Sequence, residues 1–195
     1  MIFYIPLFKY YIDLNNNKGH TFMTADWLIN YNHGYISRGL FGTFLLNSFN
    51  YQDQMLDFLS TVLIMIYISI FYYVNKIFNQ SKQNFISLIL IFSPATFLFN
   101  IYDSQGSFRK EILGILALVI LASNIKEKKS YQTYLSGLIY TIGIFSHSVN
   151  LFFFTSLIFI LFYKIRSKNF SHYLLFIGST FLNVLSYFIF SNSEQ

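Results

Sequence analysis

The stretch Ser130–Tyr163, SYQTYLSGLIYTIGIFSHSVNLFFFTSLIFILFY, runs for 34 residues without an acidic or basic side chain. As one helix rising ~1.5 Å per residue it would be ~51 Å long, whereas the hydrocarbon core of a bilayer is ~30 Å thick. Basic residues flank it on both sides, in KEKK (126–129) and KIRSK (164–168). Such clusters favour the cytoplasmic side, so an even number of crossings must separate them. The sequence therefore predicts a short helical hairpin that turns at SHSVN (146–150).

The composition of the whole chain is that of an integral membrane protein. Of the 195 residues, 54% are hydrophobic and only 11% are charged, which is too few to coat a soluble globule of this size. Cysteine is absent, so disulfides, thiolate metal sites and a cysteine nucleophile are excluded. The net charge of +5 arises from basic residues at segment ends, where they are topology signals. The expected partner is therefore the lipid bilayer, and no nucleic-acid partner is expected.

Four other windows also lack Asp, Glu, Lys and Arg: Phe58–Asn75, Phe85–Tyr102, Ile112–Ile125 and Asn169–Ser193. The first, second and last each suit one crossing. The third is short, and we expect the alkyl stems of Arg109 and Lys110 to extend it while their charged heads reach the interface. The predicted fold is an all-α, polytopic transmembrane helix bundle with about six membrane segments, including the hairpin. It forms one membrane domain (1–195), with an external or interfacial region (1–54) and membrane helices (55–191).

Threading the chain outward from the basic clusters places three polar segments on the outer side. They are DWLINYNHGYISR (26–38), DSQGSFRKE (103–111) and SHSVN. Each has an ordinary interpretation: an interfacial helix with Trp27 in the aromatic belt, snorkelling anchors at Arg109 and Lys110, and a structural histidine at His147. However, polar groups near membrane depth are costly and usually mark a site. Arg38, Arg109 and Lys110 also run against the positive-inside bias, as expected of cations held by a ligand.

The chemistry of these side chains suits a lipid-linked diphosphate. Guanidinium groups such as those of Arg38 and Arg109 offer paired donors to phosphate oxygens, and Lys110 adds a point charge. A neutral His147 could take a proton from an attacking hydroxyl, and Asp26 is a second candidate base. Paired-carboxylate, HExxH, Walker and GxGxxG patterns are absent from the sequence. We therefore expect glycosyl transfer without a metal or a cofactor.

The patterns NYNHGYISRGLFG (30–42) and FRKE (108–111), followed by the histidine-bearing turn, resemble those of polytopic proteins from bacterial surface-polysaccharide gene clusters. These are grouped with O-antigen and capsule repeat-unit polymerases. The resemblance implies an enzyme of the bacterial inner membrane that joins oligosaccharides carried on polyprenyl diphosphate, together with other polysaccharide-assembly proteins. The positions carried over share the two motifs and the turn: Asn30, Tyr31, Gly34, Arg38, Gly39, Gly42, Arg109, Lys110, Glu111 and His147.

The chain departs from the family pattern in two ways. The resemblance covers an N-terminal portion of such proteins, and a truncated product is one expectation. His147 is followed by Ser148, where the family often has glutamate, which removes a carboxylate that could orient the imidazole. Two other classes stay open: a lipid-linked sugar transporter or flippase component that uses the same cations for binding only, and a non-catalytic membrane scaffold.

Overall fold

The computed structural model describes residues 24–32, 39–80, 109–166 and 169–191. Within these ranges the chain forms helices, turns and loops and no strand, which confirms the predicted all-α class for this part. The second apolar window, Phe85–Tyr102, lies outside the described residues, as does the segment 33–38 with Arg38 and Gly34. The number of membrane segments expected from the sequence therefore stays a prediction.

The described helices follow one another along the chain as follows: α1 (Ala25–Leu28), α2 (Leu40–Ser48), α3 (Gln52–Gln80), α4 (Ile112–Ser123), α5 (Ser130–Ser146), a 3-10 turn (Ser148–Phe152), α6 (Phe153–Phe159), a π-helical turn (Ile160–Ile165) and α7 (Phe170–Ser191).

Among the described residues, three helical stretches are long and apolar enough to cross a membrane: Gln52–Gln80, Ser148–Ile165 and Phe170–Ile189. Large hydrophobic side chains stay exposed along them, including Met65 and Phe181, which is typical of a surface that faces lipid. The composition and these helices together make the chain a membrane protein.

α4 differs from the expectation for its window. It has 12 residues, or ~18 Å, and is too short to span a bilayer by itself. Arg109 and Lys110 precede it in a turn, and the Lys110 side chain is fully buried. The snorkelling interpretation of Lys110 is therefore wrong, because a snorkelling lysine keeps its charged head exposed, whereas Lys110 is fully buried.

The described residues form two buried hydrophobic clusters that meet at α4. One joins Trp27 and the buried face of α3 to Ile112, Leu113 and Leu116 on α4. The other joins Ala117 and Leu121 of α4 to buried residues of α5, α6, the π turn and α7. A helix with packing partners on opposite faces is apolar all round, which explains the uniformly hydrophobic sequence of α4.

Polar side chains end and begin several helices. Asn124 closes the turn after α4: its Nδ2 donates to the Lys129 carbonyl at 2.8 Å and its Oδ1 accepts from the Lys129 N–H at 2.7 Å. Asn169 caps α7 by accepting from the Ser171 N–H at 3.2 Å. α5 ends at Ser146 because His147 adopts an extended backbone (φ −161°, ψ 120°), which agrees with the break predicted at SHSVN.

Candidate functional site

Asn150 fastens the SHSVN turn to the beginning of α4. Its Oδ1 accepts from the Gly114 N–H at 3.1 Å, and its Nδ2 donates to the carbonyls of Gly143 at 2.9 Å and Lys110 at 3.3 Å. The first N–H groups of a helix lack partners within the helix. Glu111 occupies the N-cap position of α4 without making a side-chain cap, so Asn150 supplies the cap from a distant part of the chain.

This arrangement leaves the Glu111 carboxylate available for another contact. Its Oε1 lies 3.9 Å from Nε2 of His147, with the two side chains 26% and 12% exposed. The position at a helix N-terminus favours a negative charge. The FRKE motif therefore supplies the carboxylate that the turn itself lacks after His147, a pairing that the sequence-based assignment of Glu111 to substrate binding did not foresee.

The ring of His147 is also fixed on its other side. Nδ1 accepts a hydrogen bond of 3.2 Å from the Val149 N–H, and the His147 N–H donates to the Gly143 carbonyl at 2.8 Å. The imidazole is thus held between the backbone of its own turn and the carboxylate of Glu111.

The two cations of the FRKE motif differ in exposure. Arg109 is exposed, whereas Lys110 is fully buried directly before Glu111. Of the pair, Arg109 is the one that can meet a ligand from solution without rearrangement. Lys110 is enclosed by the protein, so it could meet a ligand only after a rearrangement.

The described part of the N-terminal polar segment is held mainly by contacts with α2. The Tyr31 N–H donates to Thr43 Oγ1 at 3.0 Å, and the Tyr31 ring lies over Gly39. A Cβ at Gly42 would overlap the Ile29 carbonyl, so only glycine allows this close backbone approach. Asn30 forms a local turn, donating to the Leu28 carbonyl at 3.1 Å and accepting from the Asn32 N–H at 2.9 Å.

Asp26, the second candidate base, lies partly buried in the first turn of α1, beside Trp27. Trp27 belongs to the same buried cluster as Ile112 and Leu113, the two residues that follow Glu111. The N-terminal segment and the start of α4 are therefore parts of one packed region.

Of the three polar segments, the structure brings the FRKE and SHSVN segments into direct contact. Arg38 and the loop residues 103–108 lie outside the described residues, so their predicted place beside this site is not described. Sequence reasoning missed Asn150 as the organising residue. The available signal was a lone amide between the apolar runs that end in Phe145 and begin at Leu151.

Two polar atoms of this region are buried without a hydrogen-bond partner among the described residues, Glu111 Oε2 and Ser146 Oγ. Buried polar groups are usually paired, and an unmade bond costs about 1–3 kcal/mol. Within the described ranges, no group of three or more His, Cys, Asp or Glu side chains could hold a metal ion. The chemistry offered here is that of a carboxylate, an imidazole and nearby cations.

Comparison of the chain with models of protein families, with curated proteins and with solved structures gives no match. The polymerase-like resemblance therefore remains an expectation drawn from motifs.

Proposed function

We propose that this chain is a multi-pass protein of the bacterial inner membrane that joins oligosaccharide units carried on polyprenyl diphosphate at the outer face. The observation that carries the proposal is the contact between the two motif segments, with Glu111 Oε1 3.9 Å from His147 Nε2. Ionisable groups near membrane depth are costly and usually mark a functional site, and this carboxylate–imidazole contact supports such a site. The bundle is proposed to have six membrane segments, with the second in Phe85–Tyr102.

The proposed reaction transfers a sugar from one lipid-linked unit to a hydroxyl of another. A sugar hydroxyl of one lipid-linked unit attacks the anomeric carbon of another, and the bond from that carbon to the diphosphate breaks. The electron pair leaves with the polyprenyl diphosphate, and the hydroxyl proton passes to a base at the site. Arg38 and Arg109 are proposed to hold the diphosphate, since guanidinium groups bind phosphate oxygens through paired donors and stabilise the charge on the leaving group. No metal takes part.

The proposal is tested with the full-length chain in liposomes and lipid-linked oligosaccharides extracted from the native membrane. We expect the wild type to release polyprenyl diphosphate and build polymer. Arg38→Lys and Arg109→Ala should abolish polymer without loss of membrane insertion. Lys164→Ala is the matched control, because it removes an exposed cation from the predicted cytoplasmic cluster and should leave polymer length unchanged.

Two results would contradict the proposal. Unchanged polymer length in both arginine variants would remove the diphosphate-binding role. Movement of lipid-linked sugar across the bilayer without formation of new linkages would identify a transporter instead.

A further inference from the structure

The two nitrogens of the His147 ring have different hydrogen-bonding partners. Nδ1 accepts from the Val149 N–H at 3.2 Å, so this nitrogen must present its lone pair. In the neutral imidazole the proton then resides on Nε2, the nitrogen that faces Glu111 Oε1 at 3.9 Å. At 3.9 Å the two groups are in electrostatic contact and not hydrogen-bonded, and catalytic contacts that are long in the free protein often tighten when substrate binds. In this tautomer the ring is a donor toward Glu111, and its basic nitrogen is already engaged by the backbone.

Glu111 presents the complementary pattern. One carboxylate oxygen faces the Nε2–H of His147, while the other, Oε2, is buried and has no hydrogen-bond partner among the described residues. The terminal torsion of a glutamate is broad and two-fold, so the carboxylate can turn and offer either oxygen to a ligand, and 26% of the side chain is exposed. A hydroxyl group is one donor that would satisfy this oxygen.

We propose that the Glu111 carboxylate, and not the His147 imidazole, takes the proton of the attacking sugar hydroxyl, with His147 as the positioning residue. This inference rests on the proposed glycosyl transfer. As the hydroxyl oxygen bonds to the anomeric carbon and the diphosphate leaves with its electron pair, the hydroxyl proton moves to Glu111. The Nε2–H of His147 orients the carboxylate through Oε1, and Asn150 joins the two segments that carry these residues by bonding the backbone of Lys110, Gly114 and Gly143.

The roles of the two residues separate in a pH profile of the full-length reconstituted chain. Glu111→Gln should lower activity by about 100-fold or more, the usual contribution of a general base. His147→Gln places an amide NH₂ where Nε2–H stood, so this variant should keep part of the activity. Its activity should also still fall at low pH as the wild-type activity does, which is the acidic limb of the pH profile. His172→Gln is the matched histidine control, because His172 bonds Ser130 at 2.8 Å, away from Glu111. Loss of the acidic limb in His147→Gln, or a fully active Glu111→Gln, would overturn the proposal.

A second measurement does not depend on turnover. The full-length chain is labelled with ¹⁵N-histidine, and the His147 signals are assigned by their loss in His147→Gln. We expect a protonated Nε2 and an unprotonated Nδ1. The opposite tautomer would overturn the proton assignment and leave glycosyl transfer standing. Conversely, the expected tautomer in a wild-type chain that makes no polymer would overturn the proposed function instead.

Discussion

Asn150 Oδ1 accepts a hydrogen bond of 3.1 Å from the backbone N–H of Gly114, 36 positions earlier in the chain. This bond caps α4 from outside and sets the distance between the two segments that carry Glu111 and His147. A side chain that satisfies three backbone groups at a buried position has a large effect on stability for its size.

Asn150→Ala should therefore destabilise the protein. The change removes the side-chain hydrogen bonds to the Gly114 N–H and to the carbonyls of Gly143 and Lys110, each of which keeps one backbone partner, and we expect a loss of roughly 1–3 kcal/mol. Asn79→Ala is the control, since Asn79 is exposed near the end of α3. Thermal unfolding in detergent measures both variants. Equal midpoints for the two would contradict the capping role of Asn150.

Gly114 and Gly178 provide a matched pair of helical glycines. A Cβ at Gly114 would overlap the side chains of Asn150 and Phe153, whereas a Cβ at Gly178 meets nothing within 4 Å. Gly114→Ala should destabilise the chain by about 1–3 kcal/mol through overpacking. Gly178→Ala should be neutral or stabilising by up to about 1 kcal/mol, because alanine is the better helix former. If Gly114→Ala also raised the unfolding midpoint, the close contact would be absent.

The sequence was sufficient for the helical class and the break at SHSVN, because charge-free windows and basic flanks follow directly from the cost of burying charge in lipid. It was insufficient for Lys110 and Asn150. Hydropathy places both at segment ends, but only tertiary packing buries Lys110 and brings Asn150 to Gly114. The π turn at Ile160–Ile165 contains no glycine or proline, so the sequence gives no signal that predicts it. Contacts between polar groups far apart in the chain produce no periodic pattern in the sequence. The sequence therefore indicated which residue types belong to the candidate site but not which of them contact one another.

Glu127 gives a pH-dependent prediction outside the membrane-spanning helices. Hydrogen bonds from Lys129 and Lys76, both at 2.9 Å, lower the pKa of this carboxyl below its ordinary value of 4.5. A lowered pKa contributes stability that is present above the ordinary value and is lost as pH falls through the folded one. Glu127→Gln should thus lower the unfolding midpoint slightly at pH 7, with the difference vanishing in acid.

Added salt provides the control for the Glu127→Gln prediction, because it screens the ion pairs of Glu127. The Glu127 side chain is 27% exposed and forms its ion pairs at the protein surface, so 1 M NaCl should shrink the difference between wild type and Glu127→Gln at pH 7. A difference that grows as the pH falls below 4 would contradict the ion-pair account.

The absence of cysteine permits a direct test of the proposed topology. Arg109 and Lys164 are both exposed side chains. In intact spheroplasts, a membrane-impermeant maleimide should label Arg109→Cys, and it should label Lys164→Cys only after lysis. The reverse pattern would place the Glu111 site on the cytoplasmic side and remove the outer-face reaction.

The measurement that tests the central claim most directly compares two glutamates in the reconstituted chain. Glu111→Gln and Glu127→Gln make the same chemical change, one at the site beside His147 and the other in the turn after α4. Release of polyprenyl diphosphate from native lipid-linked oligosaccharide is followed for both. The account predicts wild-type release in Glu127→Gln and a loss of about 100-fold or more in Glu111→Gln. Equal release by the two variants would contradict it.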